Sequence, residues 1–351
     1  MATPPARASL IPAGALLPSS FKVLLGQFYD YTVALLGSDG TPAKAREALN
    51  IPMRNYLDNP DGGVYQRTIA ASADDVYMDD RWYALTQTGT ITPSQVANPE
   101  DGYRYALRLT QSQAVAQRMG RAQIVEGNKT SELRGKTVTM GGRLKFSASA
   151  TVRVALLAWT GAEDAVTSDV VNNWASAVYT PANFFAAANL AVIGTAAFVM
   201  TAATPGTVQV SGVVPSNATN LIAFYWTDAA AAQNVTLDAH GWRIVDAPSL
   251  VDYIRLPLGV ELAACQRYYE ITKVVARMAT TTPISAMQTP VNFKFQKRAV
   301  PTIAVVNTDS SFNVTIGPVF EYITPWGLSV RIGSTFNDVG YTVDVSVTAE
   351  L

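Results

Sequence analysis

From Val170 to Thr227 the chain runs for 58 residues without one charged side chain. No other feature of the sequence limits the fold so tightly. An uncharged stretch of that length cannot lie on a solvated surface without leaving a large apolar patch, so it must face a core, an interface or a lipid phase. The window Phe184 to Ala203 is about long enough to cross a bilayer. It is dominated by alanine, contains Asn189, Thr195 and Thr201, and has no Lys/Arg flank to orient it. A membrane span is therefore rejected. The N-terminus lacks a continuous apolar run and does not read as a secretory signal. The expectation is a β-rich domain whose uncharged stretch faces subunit contacts, with Leu190 at such an interface.

Charge and residue usage exclude several function classes. With 26 Lys+Arg against 27 Asp+Glu, the chain lacks the basic excess of a general nucleic-acid binder. Its one cysteine, Cys265, rules out an internal disulfide framework and a Cys-rich zinc site. Its one histidine, His240, argues against His-based metal sites and triads. His240 ends a probable strand and reads as a packed, hydrogen-bonded residue. Cys265 reads as a small buried hydrophobe. The stretches GSDGTPAK and GAEDAVTSD lack the spacings that cradle phosphate. No cofactor is expected.

The pattern along the 351 residues divides them in three. Residues 1–60 open with Pro4, Pro5, Pro12 and Pro18, which keep the chain extended. A short helix over Ala43 to Leu49 follows Thr41-Pro42, an N-cap with proline at the first helical position. The turn-rich Asn59-Pro60-Asp61-Gly62-Gly63 reads as a linker. In residues 61–248 the signal is β. Leu144, Phe146, Ala148, Ala150, Val152, Val154 and Leu156 alternate with polar residues as in a half-buried strand. Leu221 to Trp226 is apolar on both faces and predicts a central strand. Asp169 to Trp174 is the one plausible helical turn there. Residues 249–351 predict a short helix over Gly259 to Gln266 and then strands, the last with Tyr341, Val343, Val345 and Val347 on one face. The fold class expected is mainly β, with two antiparallel, jelly-roll-like β-sandwiches preceded by an extended anchoring segment with a short helix.

Candidate chemistry is sparse. The carboxylates Asp74, Asp75, Asp79 and Asp80 cluster, but no second cluster exists to pair with them for glycoside hydrolysis. Asp75, Asp79 and Asp80 are weak calcium candidates, since their spacing matches no EF-hand loop. No catalytic residue and no metal site is assigned. Aromatic side chains on a sandwich can form stacking platforms for sugar rings. The candidates are Trp82, Tyr83, Tyr103, Tyr105, Trp174, Tyr179 and Trp326.

Several passages resemble virion proteins of tailed bacteriophages and gene transfer agents. YTVALLGSDGTPAKAREAL, Tyr31 to Leu49, looks like the N-terminal segment that tail-fibre and head-fibre proteins use near their attachment point. DDRWYALTQTG and AQIVEGNKTSELRGKTVTMGGRLKFSASATVRVALLAWTG resemble a jelly-roll, carbohydrate-binding-like domain of phage fibres, with NNWASAVYTPANFF and AHGWRIVDAP as further stations. ELAACQRYYE, Glu261 to Glu270, is similar to the junction before a terminal β domain, which FKFQKRAVPTIAVV fits. The resemblance implies a homotrimeric, non-enzymatic appendage located in the virion and assembled in the host cytoplasm. Its N-terminal segment, with Phe21, Leu24, Leu25, Tyr31, Leu35 and Leu36, would dock on capsid or tail proteins, and its sandwiches would bind a host cell-surface glycan. No nucleic acid and no membrane insertion are expected. The chain is short for a full fibre, which favours a stubby spike or head fibre, or a small tail appendage. The alternatives are a capsid decoration or connector without ligand, and a polysaccharide-degrading spike enzyme.

Overall fold

The computed structural model describes residues 27–32, 53–67, 69–279, 287–336 and 338–351. The first body is an antiparallel two-sheet sandwich. Its strands are β1 (Tyr77–Asp79), β2 (Trp82–Thr86), β3 (Thr92–Glu100), β4 (Tyr103–Thr110), β5 (Met119–Val125), β6 (Thr137–Phe146), β7 (Ala150–Trp159), β8 (Leu190–Met200), β9 (Gly206–Val213), β10 (Asn220–Thr227) and β11 (Thr236–Val245). One sheet has the order β1-β2-β5-β10-β7-β8 and the other β3-β4-β11-β6-β9. From β5 to β7, and again from β9 to β11, consecutive strands switch sheets, as in a jelly roll.

The long alternation beginning at Leu144 is two strands rather than one. Residues 147–149 turn the chain from β6 in one sheet to β7 in the other. The apolar parity survives the turn because both strands present the same side to one core. Leu144, Phe146, Val152, Val154 and Leu156 are all buried in it, with Ala148 and Ala150 packed at its margin. A period-2 pattern reports which face is buried and is blind to a corner that preserves that face.

Strand β10 lies between β5 and β7, as its two apolar faces require. Leu221, Ala223 and Tyr225 point into the core between the sheets. Ile222, Phe224 and Trp226 point the other way, into a second core. That second core is closed by the uncharged stretch itself. Val170, Val171, Phe184 and Phe185 fold over the outer face of the sheet, and Phe184 and Phe224 stack on Trp226 at 5.0 and 4.6 Å between ring centroids. Burying each large apolar side chain contributes about 1.5–3 kcal/mol. Leu190 is buried in the same cluster, so its place is in the chain's own core and not at a subunit contact. Asp169 to Trp174 forms no helix: Val171 bridges to Phe185 instead. Among the described residues, no helix is long and apolar enough to cross a membrane.

Residues 53–67 belong to this body. Tyr56 and Leu57 are buried in the inter-sheet core, the Tyr56 amide donates to Ile244 O, and the Trp242 amide donates to Pro60 O. The turn Asn59 to Gly62, read as a linker, is buried. A boundary at residue 60 would cut packed structure. Further upstream, a short helix, α1, spans 27–32, with Tyr31 exposed. Phe21, Leu24, Leu25, Leu35 and Leu36, and the helix expected over Ala43 to Leu49, lie outside the described residues. A five-residue helix, α2 (Gly127–Ser131), follows β5.

The helix expected near Gly259 is present as α3 (Leu258–Gln266). It leads into the second body, with β12 (Tyr269–Ala279), β13 (Met287–Asn292), β14 (Thr302–Phe312), β15 (Ile316–Glu321), β16 (Gly327–Gly333) and β17 (Asp338–Thr348). Two three-stranded sheets, β12-β17-β14 and β13-β16-β15, enclose a core. The cleanly alternating β17 is central in its sheet and buries Tyr341, Val343, Val345 and Val347. Between Phe312, which ends β14, and Ile316, which opens β15, the chain turns, with Asn313 at φ 58°.

Buried ions join the two bodies. Arg81 sits in the two-residue turn between β1 and β2 at φ 73°, a conformation that L residues rarely adopt. Its Nη1 donates to Glu350 Oε2 at 2.7 Å, its Nε to Asp58 Oδ2 at 3.3 Å and its Nη2 to Ile124 O at 2.8 Å. The guanidinium lies 3.4 Å over the Tyr268 ring. Arg67 also pairs with Glu350, at 2.6 Å, and covers Tyr269. Arg267 pairs with Glu126 across the junction at 2.8 Å, and Lys297 pairs with Glu270 within the second body at 2.8 Å. Cys265 is buried, and burial pushes its thiol well above the usual range. Replacing Arg81 by methionine, which keeps the bulk but not the charge, takes one of two cationic partners from each of two buried carboxylates, leaving Glu350 to Arg67 and Asp58 to Lys129. It should cost about 3–5 kcal/mol in urea unfolding.

Candidate functional site

The sheet β3-β4-β11-β6-β9 turns a polar face outward, because Met140, Leu144 and Phe146 of β6 face the core and leave Arg143 on the opposite side. On that side lies a groove of about 370 Å³. Glu100 and Tyr103 reach it from the ends of β3 and β4, Arg143 from β6, Thr207 from β9 and Arg243 from β11. Asp252 and Tyr253 enter from the segment after β11.

Arg143 grips Glu100 with two parallel bonds, Nε to Oε1 at 2.6 Å and Nη2 to Oε2 at 2.7 Å, and its Nη1 donates to Thr207 Oγ1 at 3.0 Å. Such a fork fixes direction as well as charge. His240, fully buried, sits 2.7 Å from Glu100 through Nε2. The Arg143 bonds, with help from His240 and against partial burial, hold the Glu100 carboxyl down at about 2. Burial lowers His240 more than Glu100 raises it. The imidazole is therefore neutral near pH 7, its Nε2–H donates to the ionised Glu100, and its Nδ1 is left without a partner. Glu100 is a fixed anion and not a proton donor.

Two aromatic rings form the floor. Tyr103 and Tyr253 stack at 5.6 Å and 10° between planes, and Tyr103 meets the His240 ring edge-on at 4.4 Å. A bulge in the pairing of β11 with β6, between His240 and Arg243, makes room for this. Gly241 lies inside it at φ 60°, and a methyl there would come within 2.6 Å of the Tyr103 ring. Only glycine fits. Arg243 is tied back to Gly241 O at 2.7 Å and Val251 O at 2.9 Å. The groove thus offers apolar ring faces beside rigidly held donors and acceptors, which is the chemistry that polyhydroxyl compounds match.

Of the sequence-predicted aromatics, the structure brings Tyr103 into the groove and Tyr105 into an adjoining pocket. Trp82 and Tyr83 are corrections. Trp82 packs between the sheets against Tyr225 and Trp242, Tyr83 lies in the second core, and neither shows a face to solvent. Trp174 and Tyr179 are half-buried over the other sheet, where Trp174 meets Phe184 and Tyr179 donates to Asp228 at 2.8 Å. Trp326 is exposed on the second body, apart from the rest. The calcium candidates also diverge: Asp79 is buried against Arg121 at 2.7 Å, Asp80 accepts from Gln66, and Asp75 is exposed. Among the described residues no metal-ligating group forms. Sequence reasoning missed Glu100, Arg143, Arg243 and Tyr253. Arg143 and His240 are opposite each other across β6 and β11, a pairing that no local spacing announces.

No family model matches the sequence, and no curated protein does. Among solved structures the chain is similar to the carbohydrate-binding module TmCBM61 in complex with β-1,4-galactotriose, at TM-score 0.34 and 9% identity, over 55% of this chain and 99% of that one. It is similar to the C-terminal family 22 carbohydrate-binding module of Clostridium thermocellum Xyn10B, at 0.30 and 14%, over 55% and 99%. It is also similar to the enzymatically active domain of tailspike protein 4 of bacteriophage CBA120, at 0.32 and 11%, over 54% of this chain and 21% of that one. Likeness this slight carries no argument about ligand or reaction.

The Glu100 network sets an acid limit. Its carboxyl is held at about 2 against an ordinary 4.5, so the stability it contributes is complete above about pH 4.5 and is lost as pH falls toward 2. Glu100→Gln should be less stable than the wild type at pH 7. It should also show a flatter loss of stability between pH 4.5 and 2, read from thermal melts across that range.

Proposed function

We propose that the chain is a non-enzymatic, carbohydrate-binding structural protein of a virion, a short trimeric fibre or spike on tail or head that contributes to host-surface attachment. The observation that carries the binding part is the groove: two parallel tyrosine rings beside an arginine-clamped carboxylate and Arg243. A pyranose ring offers an apolar C–H face to such rings and hydroxyls to such polar groups. The state of Glu100 supports binding over hydrolysis, because a glycosidase needs a carboxyl raised in pKa to protonate the leaving oxygen. The virion setting rests on the resemblance of the sequence passages, with the N-terminal segment docking on capsid or tail proteins. An appendage present in several copies multiplies a weak single-site affinity.

The trimer has a surface that suits it. Strand β14 is an edge strand exposed along nearly its whole length, with Val305 and Val306 open to solvent, and Val275 and Met278 of β12 are exposed in the same sheet. An open edge carrying apolar side chains is a template for pairing with another chain. Sedimentation of the full chain should give three times the monomer mass, and a monomer at micromolar concentration would reject the trimer.

Glycan-array binding followed by calorimetry tests the groove. Tyr103→Ala should weaken the glycan found by about tenfold, the value of one lost stacking partner. No binding above background by the wild type would favour a connector without ligand. Release of reducing ends from a bound polysaccharide would favour the degrading enzyme.

A further inference from the structure

Beside the groove lies a smaller pocket of about 160 Å³. Strand β4 joins the two, sending Tyr103 into one and Tyr105 into the other. The pocket wall is Leu256, Pro257 and Leu258, and its inner end holds two carboxylates, Asp61 and Glu261. Both are nearly inaccessible, at 1% and 4% exposure. Gly63 leaves them bare: a methyl at that position would lie 3.2 Å from Glu261 Oε2 and 3.4 Å from Asp61 Oδ1. The two are not equivalent. Arg255 donates to Asp61 Oδ2 at 3.1 Å and to Gly102 O at 3.4 Å, so its charge is committed to Asp61. Glu261 Oε1 has no hydrogen-bond partner. A buried carboxylate without a partner is costly, and proteins keep such groups where something else completes them.

We propose that this pocket binds the free ammonium group of an amino sugar, with Glu261 as its counter-ion, as a second subsite beside the groove. The assignment rests on the carbohydrate-binding reading of that groove. An ammonium is compact and carries three donors. It relieves the repulsion between Asp61 and Glu261, which a neutral hydroxyl cannot do. The aliphatic wall and the Tyr105 ring take the C–H face of the sugar. Burial first and Asp61 second push Glu261 up to about 7, with Asp58 adding to the rise and Arg255 opposing it. Glu261 is therefore about half ionised near neutrality, and an arriving cation shifts it to the charged form. Arg104 also lines the pocket, but it is exposed and lies over the Tyr105 ring at 5.2 Å.

The full chain is titrated calorimetrically at pH 7 with a glucosamine oligosaccharide and with its fully N-acetylated counterpart, which has the same rings but no cation. The free amine should bind about tenfold tighter, as expected for a charge-assisted contact. Glu261→Gln should bring it down to the affinity of the acetylated form. That variant should melt no lower than the wild type, since it removes a buried unpaired charge, so a loss of binding is not a loss of fold. Equal affinities in the wild type, or a preference that survives Glu261→Gln, would overturn the proposal. Binding of Nα-acetyl-lysine amide as tightly as the amino sugar would overturn the sugar assignment in favour of a protein ligand. Tyr103→Ala separates this from the parent reading. It should weaken both oligosaccharides alike, and if it leaves both unchanged the groove reading fails on its own.

Discussion

The two bodies meet around one buried guanidinium. Arg81 has nearly no exposed surface, yet it touches the segment before the first sandwich through Asp58, the sheet through Ile124 O, and the second body through Glu350 and the Tyr268 ring. A lysine could not do this, because it lacks the planar fork that serves several acceptors at once and the flat face that covers a ring. The strained backbone at Arg81 is tolerated since these partners over-determine it. The junction passage, Cys265 to Glu270, acquires a physical meaning from the same network. Tyr268 lies under Arg81, Tyr269 under Arg67, Arg267 on Glu126 and Glu270 on Lys297. What reads as a sequence marker is a row of contacts, three of them between domains and the fourth, Glu270 on Lys297, anchoring the row within the second body.

The groove and the junction use charge in opposite ways. At the junction, ions are buried and matched, so their work is to fix geometry. In the groove the Glu100 and Arg143 pair is partly open, with 18% and 28% of the side chains exposed. Its members keep acceptors and donors turned to solvent while holding each other still. Rigid, half-open polar groups beside aromatic rings bind without the ordering cost that mobile side chains would add.

How much was legible in the sequence depended on whether the deciding contact was local. Strand β17 was legible from its alternation, strand β10 from a run apolar on both faces, and helix α3 from its place just after Pro257, all of them features of the local sequence. Trp82 and Tyr83 were not. An aromatic on a strand looks the same whether it faces solvent or core, and here the partners that cover it, Trp242 and the sheet-capping residues near Phe184, lie far along the chain. The uncharged stretch is buried only in part: Val170, Val171, Phe184, Phe185, Leu190 and β10 are covered by the chain itself, while Val178, Val199 and Val213 are exposed. Residues 166–190 cap the sheet that β10 runs through. The groove was the least legible element. Glu100, Arg143 and Tyr253 come from three strands or loops far apart in sequence, and the bulge at Gly241 in β11 leaves the space that the Tyr103 ring between them occupies. Of the candidate aromatics, Tyr103 lines the groove, and its stacking partner Tyr253 was not among the candidates.

The matched ions between the bodies have a mechanical consequence. A hinge would need a loosely packed seam, but here Arg81 and Arg67 both bond to Glu350 across it inside the protein, where dissolved salt screens them little. The two sandwiches move as one lever. A tug on a ligand seated at the groove would be felt at the far sheet of the second body without first stretching a slack tether, and the force would pass through charged contacts rather than through a greasy, slippable interface.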